Sequence, residues 1–395
     1  MKIEFLDLGM QPIANNFLSN IDQAGSEYMY HLTVVFDEET NLVSLKQFVP
    51  PKMMFNDSYV YHSSLSKTMR EHFSSVAKSL KEEFSPKVIL EIGSNDGVFL
   101  KHFSKSNAMS IEPCGNFADL TREMGYNTLS CFWDNDSAEE VLRQRGEQDL
   151  IYAANCMCHI QDVENAFKNI AKVISKDGIF VFEDPSLFKI LNRGSYDQLY
   201  GAHAYIFSVT ALSNVLKNCG LDIFRVQETD VHGGSNRIFA CAVGSREIEN
   251  SVISSLDKER NARLNDIETY VAFADRVAQS KEQLVGLLTE LKRGGNKIIS
   301  YGATAKSTTV FNYCKIDTSL IDYIVDITPA KQGKFSPGMH IPVISPEEGF
   351  DESANYAFLG AWNYEKEITE KEAQFLKNGR FISHVPYVRV IGGMK

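Results

Sequence analysis

The sequence lacks three features that would point to particular classes of protein. No apolar run approaches the ~20 residues that a bilayer-spanning helix needs, and the start MKIEFLDLGM has no signal-peptide core. The seven cysteines are scattered without a C-x-x-C pair, which argues against a disulfide framework and a cysteine zinc site. The net charge of −11 leaves no basic excess for nucleic acid. We therefore expect a cytoplasmic protein with neither a membrane nor a nucleic-acid partner.

What the chain has is an ordinary globular composition and a pattern that divides it into regions. Hydrophobic residues make up 44% and charged residues 23% of the 395 positions, a length that predicts two to three domains at about 150 residues each. We predict a mixed N-terminal domain over 1–80 and an α/β domain over 81–245. The charged, helix-periodic segment 246–293 is too long for a loop and predicts connecting helices before a second Rossmann-like domain over 294–395.

The most informative stretch is VILEIGSNDG, which predicts a buried strand, a tight glycine turn and then a helix (VFLKHF). Its spacing, E-x-G-x-x-x-G, differs from the G-x-G-x-x-G of dinucleotide sites. The acidic side chains would repel a pyrophosphate but attract an ammonium or sulfonium centre. The pattern resembles the first motif of class I S-adenosylmethionine (SAM) methyltransferases. That resemblance implies a SAM site at Glu91, Gly93, Asn95, Asp96 and Gly97.

The strands that follow support this interpretation. The strand AMSIE ends at Glu112, about 20 residues past the first glycine, where Rossmann-like folds bind a ribose diol. The strand DLIYAA leads to Asn155 and His159, and DGIFVFEDP makes a further strand. Alternating strands and helices predict the α/β class, with a parallel, doubly wound sheet and a ligand at the carboxyl ends of its strands. We predict SAM as the cofactor, bound in part by Glu112, and the methyltransferase resemblance implies that Asn155 belongs to the wall of the cofactor and substrate site.

A second α/β pattern begins near residue 296 and carries its own candidate site. The strand KIIS leads into GATAKS, where small residues, a lysine and hydroxyl groups precede a helix. Such a turn suits a phosphate group, although it matches neither the dinucleotide fingerprint nor a Walker loop. Asp326 ends the next strand. Two interpretations stay open from these residues: a structural turn, or a diphosphate site at Ala303, Lys306 and Asp326.

A wider resemblance covers nearly the whole chain. The order of features is similar to the three-domain sugar C-methyltransferases, which methylate nucleotide-linked 4-keto sugars. The matching stretches include LDLGMQPIANNF, YVYHSSLS, LEIGSNDGVFLKHF, AANCMCHIQDV, FVFEDPSL, YDQLYGAHAYIFS, VHGGSNRIF, SYGATAKSTTVFNYC and DITPAKQGKFSPGMHIPV. The family resemblance implies an N-terminal zinc region, a central SAM domain and a C-terminal domain that helps to hold the sugar nucleotide.

The resemblance also implies roles for individual residues. Tyr200 and His203 correspond to the tyrosine and histidine of a catalytic Y-x-E-H segment, and Tyr59 and Tyr61 would face the sugar. A base that removes a proton next to a carbonyl needs a pKa near ambient pH, which favours histidine. We predict His203 as this base with Tyr200 as its partner, and His159 as the alternative. A structural role stays open for each histidine from the residues alone.

The stretch HGGSNR offers a further candidate contact. It combines two glycines with Ser235 and Arg237. We interpret these residues as backbone and guanidinium contacts to the nucleotide or sugar. A β-turn with a solvated arginine is the alternative.

Two positions depart from the family pattern. The stretch HLTVVFDEETNLVSL stands where a C-x-x-C pair would be expected, so we predict no structural zinc and no metal site. Ala202 stands where the family would have an acidic residue next to the histidine. A carboxylate there would orient or support the base. His203 is therefore held differently, the substrate differs, or activity is reduced.

Together these features predict a SAM-dependent C-methyltransferase acting on a nucleotide diphosphate 4-keto-6-deoxyhexose through an enolate, as a monomer or weak homo-oligomer. The first alternative is an O- or N-methyltransferase on the same fold. The second, motivated by Ala202 and the missing zinc cysteines, is a non-catalytic relative that binds a nucleotide sugar or SAM.

Overall fold

The computed structural model describes residues 1–350 and 353–392, so residues 351–352 and 393–395 of the predicted C-terminal domain lie outside the described residues. The strands, in chain order, are β1 (Lys2–Pro12), β2 (Met29–Asp37), β3 (Val43–Leu45), β4 (Ile89–Ile92), β5 (Ala108–Ile111), β6 (Asn127–Leu129), β7 (Gln148–Ala154), β8 (Ile174–Pro185), β9 (Tyr205–Ile206), β10 (Leu221–Thr229), β11 (Ser235–Ala242), β12 (Ile298–Tyr301), β13 (Ile324–Val325), β14 (Val343–Ile344), β15 (Tyr356–Leu359), β16 (Arg380–Ser383) and β17 (Arg389–Ile391). The α-helices are α1 (Pro51–Met54), α2 (Lys67–Phe84), α3 (Gly115–Glu123), α4 (Asn135–Arg145), α5 (Val163–Val173), α6 (Leu187–Arg193), α7 (Val209–Asn218), α8 (Asn250–Asn261), α9 (Ile267–Arg293), α10 (Ala305–Cys314), α11 (Pro346–Gly349) and α12 (Glu365–Lys371).

The central domain is built on a seven-stranded sheet in the order β10-β11-β8-β7-β4-β5-β6. Strands β8, β7, β4, β5 and β6 are parallel, as predicted, while β11 runs antiparallel to both β8 and β10. All four residues of β4 are buried, as expected for a strand with helices on both faces. The predicted α/β class is confirmed, with an antiparallel edge that alternating strands and helices did not indicate.

The helix expected directly after the glycine turn is absent at that place. Residues 97–99 form turns, and only Leu100–His102 form a single 3₁₀ turn. Val98, Phe99 and Leu100 are consecutive and all buried. A surface α-helix buries one face and exposes the other, so three consecutive inward side chains favour a tighter, irregular path.

The C-terminal domain repeats the parallel arrangement on a smaller scale. Its six-stranded sheet has the order β14-β13-β12-β15-β16-β17, and only β17 is antiparallel to its neighbour. Helix α10 follows β12 and begins at Thr304, whose side chain accepts a hydrogen bond from Ser307 N in a capping box. The carboxyl ends of β12 and β13 therefore carry the turn that was predicted to bind a diphosphate.

The N-terminal sheet has the antiparallel order β1-β2-β3-β9. Its last strand, β9, comes from the middle of the chain and pairs with Val43 and Ser44 of β3. This pairing draws the segment 196–208, which contains the predicted base, out of the central domain and against the N-terminal one.

The segment predicted as connecting helices contains α8 and α9. Helix α9 buries Tyr270, Phe273, Val277, Leu284 and Leu288 on one face. Tyr270 packs against Phe5 and Phe36 with ring centroids 4.9 and 4.6 Å away. One hydrophobic core thus joins the N-terminal sheet, α9 and the C-terminal domain. Among residues 1–350 and 353–392, every helix is too short or too polar to cross a bilayer.

Candidate active site

A pocket of about 740 Å³ lies where the carboxyl ends of the two α/β sheets meet the N-terminal domain. Its walls come from four segments: 50–66, the ends of the central strands, 198–203, and the ends of the C-terminal strands. Of the predicted site residues, eleven line it: Tyr59, Tyr61, Gly93, Asn95, Glu112, Asn155, His159, Tyr200, His203, Lys306 and Asp326. The sequence-predicted groups from distant parts of the chain therefore share one cavity.

The glycine turn after β4 forms the first wall. Gly93 has a φ of +74°, and its N–H donates to Ile111 O at 2.8 Å. A Cβ at this position would lie 2.9 Å from Cys156 Sγ, so only glycine fits without a shift. Asn95 N donates to Glu112 Oε2 at 2.7 Å, which ties the turn to the end of the next strand.

Glu112 is buried, and among the described residues no lysine or arginine forms an ion pair with it. Its Oε1 accepts a hydrogen bond from Cys114 N at 2.9 Å. Burial raises the pKa of this carboxyl, while the N–H groups of Cys114 and Asn95 oppose the shift. A buried acidic group with acceptor capacity at a strand end is suited to a ligand that offers hydroxyl or cationic groups.

Three predicted cofactor residues lie outside the lining. Glu91 is buried within β4, where burial, then Glu112 and Asp96, raises the pKa of its carboxyl. Asp96 Oδ2 accepts a hydrogen bond from Ser64 N at 3.0 Å. Gly97 packs beside helix α3, so that a Cβ would meet Thr121 and Met124. Their binding of the cofactor stays a prediction.

Asp96 and Asn95 instead hold the segment 59–66 against the pocket. Asn95 Oδ1 accepts a hydrogen bond from Ser63 N at 2.9 Å, and its Nδ2 donates to Tyr61 O at 3.0 Å. Burial raises the pKa of the phenols of Tyr59 and Tyr61, so both keep their O–H at neutral pH. The segment thereby places two neutral hydrogen-bond donors in the pocket.

His203 has a defined orientation. It is 4% exposed, and its Nδ1 lies 2.6 Å from Gln198 O. A carbonyl oxygen only accepts, so the Nδ1 atom carries the proton and Nε2 keeps its lone pair. Burial, with repulsion from His159 and Lys306, places the His203 pKa well below its usual range. The ring is therefore neutral at physiological pH and offers Nε2 as a base.

This histidine is one of four rings that form a column. Centroid distances are 5.1 Å for Phe55–His159, 5.3 Å for His159–His203 and 4.1 Å for His203–Tyr200. Burial lowers the His159 pKa to about 4, and its Nε2 has no hydrogen-bond partner among the described residues. Donor atoms of Cys158, His159 and His203 lie within 4.8 Å of one another. The described residues therefore include one group of three donor atoms whose spacing could hold a metal ion, where the sequence predicted no metal site.

The turn after β12 forms the opposite wall. Gly302 has a φ of +97°, and Ala303 N donates to Asp326 Oδ2 at 2.7 Å. Ala303 itself is buried outside the lining. Lys306 lines the pocket; burial lowers its pKa, and the charge of Asp197 opposes that shift.

Ser235 and Arg237 are not brought into the pocket. Ser235 Oγ donates to Val231 O at 3.3 Å, and Arg237 Nε donates to Glu183 Oε1 at 3.0 Å. Glu183 is 1% exposed, so the guanidinium group is used to pair a buried carboxylate. Their contact with the nucleotide or sugar stays a prediction without support from the geometry.

Many other lining residues were not among the predicted ones, and His232 and Lys331 are two of them. His232 belongs to the HGGSNR stretch, and the glycines beside it were the available signal. Lys331 comes from the basic, glycine-punctuated loop KQGK; its Nζ donates to Ala303 O at 2.7 Å and lies 3.7 Å from Asp326 Oδ2. The loop pattern indicated positive charge but not which lysine reaches the site.

Comparisons with known proteins match each region. The family model described as "C-methyltransferase C-terminal domain" matches residues 230–386, and one described as "Methyltransferase domain" matches residues 63–226. The C-methyltransferase NovU of Streptomyces niveus is 30% identical over 98% of this chain and 94% of its own length.

Two solved methyltransferases are similar to less than half of the chain. The magnesium protoporphyrin IX methyltransferase of Synechocystis, solved with SAM, is 10% identical over 43% of this chain and 78% of its own, with a TM-score of 0.33. A SAM-dependent methyltransferase of Clostridium acetobutylicum is 11% identical over 46% of this chain and 94% of its own, with a TM-score of 0.34.

A zinc binding domain model also matches, over residues 1–55. The side chains there do not fit a zinc site. Residues 1–55 contain no cysteine and a single histidine, His31, whose Nε2 lies 2.7 Å from Asp7 Oδ1 on an exposed strand surface. Zinc in structural sites takes four ligands, mostly cysteine and histidine. The N-terminal sheet is instead held by its packing on α9.

Proposed function

We propose, from the premise that this chain belongs to the SAM-dependent C-methyltransferase family, that it methylates a carbon next to the ketone of a nucleotide diphosphate 4-keto-6-deoxyhexose. The observation that carries the proposal is the orientation of His203. Its protonated Nδ1 is fixed on Gln198 O, which leaves the lone pair on Nε2, and the residue lines the pocket that also contains the glycine turn after β4.

His203 removes the proton in this proposal. A carbonyl acidifies the adjacent C–H bond, and Nε2 accepts that proton while the electron pair moves to the ketone oxygen. The base must be neutral to act, and its lowered pKa keeps it so. The same shift makes it a weaker base, so the enolate that forms must be stabilised by other groups of the pocket. After the transfer, Gln198 O still accepts from Nδ1 and stabilises the imidazolium.

Neighbouring hydroxyl groups stabilise the enolate oxygen. Tyr200, Tyr59 and Tyr61 line the pocket, and burial raises each phenol pKa, so they donate rather than carry charge. Donors aimed at a developing negative charge lower the barrier more in a buried site than in water. His159, neutral and within the ring column, is the second candidate base or donor.

The cofactor residues fit their assigned ligand. SAM, when bound, supplies an electrophilic methyl group. Gly93 allows the close approach of backbone to ligand, and Glu112 offers acceptor oxygens. Asn95 holds the turn, and Asn155 adopts a φ of +50° at the end of β7, in the pocket wall.

The C-terminal wall supplies positive charge for the diphosphate. Lys306 and Lys331 both line the pocket, and Thr304 lies beside them. Ammonium groups at a small-residue turn attract phosphate oxygens. Asp326 accepts hydrogen bonds from Ala303 N and Thr328 N. In this proposal it therefore stabilises the turn and does not itself bind the phosphate.

The test is isotope exchange at the carbons next to the ketone. A panel of UDP-, dTDP- and GDP-linked 4-keto-6-deoxyhexoses is incubated in deuterated buffer with and without SAM, and deuterium uptake and methyl transfer are followed by mass spectrometry and NMR. We expect exchange without SAM, and His203→Asn to lower both rates by about 10²–10⁴-fold. The exposed His31→Asn variant is the matched control.

Three results separate the candidate functions. His203→Asn with normal turnover contradicts the base assignment. Methyl transfer to oxygen or nitrogen without α-exchange supports a heteroatom methyltransferase. Binding of SAM or a nucleotide sugar with no methyl transfer in a single turnover supports the non-catalytic alternative, which Ala202 beside the base favours.

A further inference from the structure

A fully buried carboxylate lies just behind the proposed base. Asp197 is 0% exposed and belongs to the 3₁₀ turn Tyr196–Gln198. Its Oδ2 accepts a hydrogen bond from Trp362 Nε1 at 2.5 Å and lies 3.5 Å from His384 Nε2. Its Oδ1 has no hydrogen-bond partner among the described residues. A buried carboxylate with one unpaired oxygen is costly, so a position that holds one calls for an explanation.

The neighbour of Asp197 in the chain orients the base. Gln198 contributes the carbonyl oxygen that lies 2.6 Å from His203 Nδ1. This oxygen belongs to the peptide unit between Gln198 and Leu199, one unit beyond the one that follows Asp197. Both residues lie in the same 3₁₀ turn, so anchoring the Asp197 side chain restrains the turn that presents the carbonyl. Its anchor, Trp362, comes from the C-terminal domain, 165 residues away in the chain.

Trp362 also supports a second turn of the pocket wall. A Cβ on Gly233 would lie 2.4 Å from the indole ring, and Gly233 has a φ of +87°. The preceding residue, His232, lines the pocket. One indole side chain of the C-terminal domain therefore contacts two turns of the central domain, both adjacent to pocket residues.

We propose that Trp362 and Asp197 are positioning residues through which the C-terminal domain fixes the orientation and tautomer of His203. This inference rests on the proposed function of His203 as the base. The indole N–H holds Asp197, the anchored turn presents Gln198 O, and that oxygen keeps the proton on Nδ1 and the lone pair on Nε2. The C-terminal domain is then required for proton removal as well as for binding the sugar nucleotide.

The main test replaces Trp362 by Phe in the full-length protein. The ring still packs on Gly233 but cannot donate to Asp197. With dTDP-4-keto-6-deoxyglucose as the probe, we expect α-exchange and kcat to fall about 10–100-fold, with the KM for SAM changed less than threefold. Tyr323→Phe is the matched control, because it removes one hydrogen bond of the same domain, to Gly349 O, outside the pocket.

A conservative variant separates positioning from simple packing. Asp197→Asn keeps an oxygen that accepts from the indole N–H, so we expect it to retain kcat within about fivefold. The double variant Trp362→Phe/Asp197→Asn should lose no more than Trp362→Phe, since both act on one interaction. The double variant also removes the charge that Trp362→Phe leaves unpaired. If Trp362→Phe alone does not fold, the double variant can therefore be used to measure the expected loss of kcat.

A substrate-free measurement keeps this inference distinct from the proposed function. The ¹⁵N chemical shifts of the His203 ring, assigned by difference with His203→Asn, report which nitrogen carries the proton. We expect the Nδ1–H form in the native protein and a mixture of tautomers in Trp362→Phe. An unchanged tautomer together with a kcat equal to that of Tyr323→Phe overturns the inference. Normal turnover in His203→Asn instead contradicts the proposed function, whatever the shifts show.

Discussion

Two turns line the same pocket, one from each α/β domain, and they share several backbone features. Each follows a buried strand and begins with a glycine in the left-handed region. Gly93 N donates to Ile111 O and Gly302 N donates to Val325 O, both at 2.8 Å. In each case the acceptor belongs to the next parallel strand. In both domains the strand therefore ends in a left-handed glycine whose N–H is bonded to the next parallel strand.

The resemblance extends to an acidic side chain after that next strand. Glu112 accepts a hydrogen bond from Asn95 N, and Asp326 accepts one from Ala303 N, both at 2.7 Å. A carboxylate at this position closes the turn by pairing a backbone N–H that no strand or helix satisfies. The bonded N–H lies two residues after Gly93 in one turn and one residue after Gly302 in the other, but this pattern does not by itself identify the ligand of either turn.

The surrounding charge does distinguish them. Asp326 has the Lys331 ammonium group 3.7 Å away, and Lys306 lies on the helix that follows the turn. Glu112 has no such cation among the described residues, and the charges of Glu91 and Asp96 lie near it. The same turn thus favours an anion in one domain and a cationic or hydroxyl-bearing ligand in the other.

The largest effect that would separate the two turns is expected from Glu112→Ala. We expect the affinity for S-adenosylhomocysteine to fall about 100-fold, because hydrogen bonds to a buried charged group contribute roughly 1.5–3 kcal/mol. Isothermal titration calorimetry with S-adenosylhomocysteine and, separately, with UDP and dTDP measures both sites. Asp326→Ala is the control and should leave the cofactor affinity within threefold. Equal losses in both variants would contradict the division of ligands.

A second prediction concerns a single buried carboxyl group of the central domain, that of Asp184. Asp184 is 4% exposed, and burial raises its pKa to about 7. A carboxyl whose folded pKa exceeds its unfolded value of ~3.9 contributes stability at low pH, and that contribution is lost as pH rises through the folded pKa. Between pH 5 and pH 8 this group should lower the unfolding free energy of the native protein by about 2–3 kcal/mol. We expect that decrease to be absent in Asp184→Asn.

Urea denaturation at several pH values between 5 and 8 measures this difference. Asp177→Asn, an exposed position in the same strand, is the control. The prediction is wrong if the native protein and Asp184→Asn change their unfolding free energy in parallel with pH.

The two turns were predictable because their determinants are local. An apolar strand followed by glycine and an acidic residue at the end of the next strand are visible within about 25 positions, as around Gly93 and Glu112. The α/β class follows from the same alternation. The predicted helix VFLKHF was wrong because the consecutive apolar residues are all buried, which a helix-periodic interpretation does not allow.

The partners of the charged residues were not predictable, because they lie far apart in the chain. Asp96 holds Ser64, 32 residues away, and Arg237 pairs with Glu183, 54 residues away. An acidic or basic residue beside a motif has the same appearance whether it faces a ligand or a distant backbone group. The sequence predicts whether each wall of the pocket is acidic or basic, but it does not predict which atom each charged side chain contacts.

A third, smaller effect tests whether the two glycines are equally required. Both have positive φ, a region that costs a residue with a Cβ about 1–2 kcal/mol. We expect Gly93→Ala and Gly302→Ala each to destabilise by about that amount, with Gly93→Ala the more severe. Its added Cβ would lie 2.9 Å from Cys156 Sγ, compared with 3.1 Å from Ala361 Cβ at the other turn.

Chemical denaturation measures both variants, and Gly286→Ala within α9 is the control. That position has no heavy atom within 4 Å of an added Cβ, so alanine should stabilise the helix by about 0.5–1 kcal/mol. If Gly93→Ala also stabilises the protein, the turn does not need its left-handed conformation.

The smallest effect is expected at the positive wall. Lys306→Gln removes one of four pocket-lining lysines and leaves Lys331 in place, so we expect the affinity for UDP or dTDP to fall only about 5–10-fold. The remaining affinity should depend less on salt, because one charge fewer is screened. Lys315→Gln, exposed at the far end of the same helix, is the matched control. A loss of S-adenosylhomocysteine affinity as large as the loss for the nucleotide would mean that Lys306 belongs to the cofactor wall, and that charge does not separate the two turns.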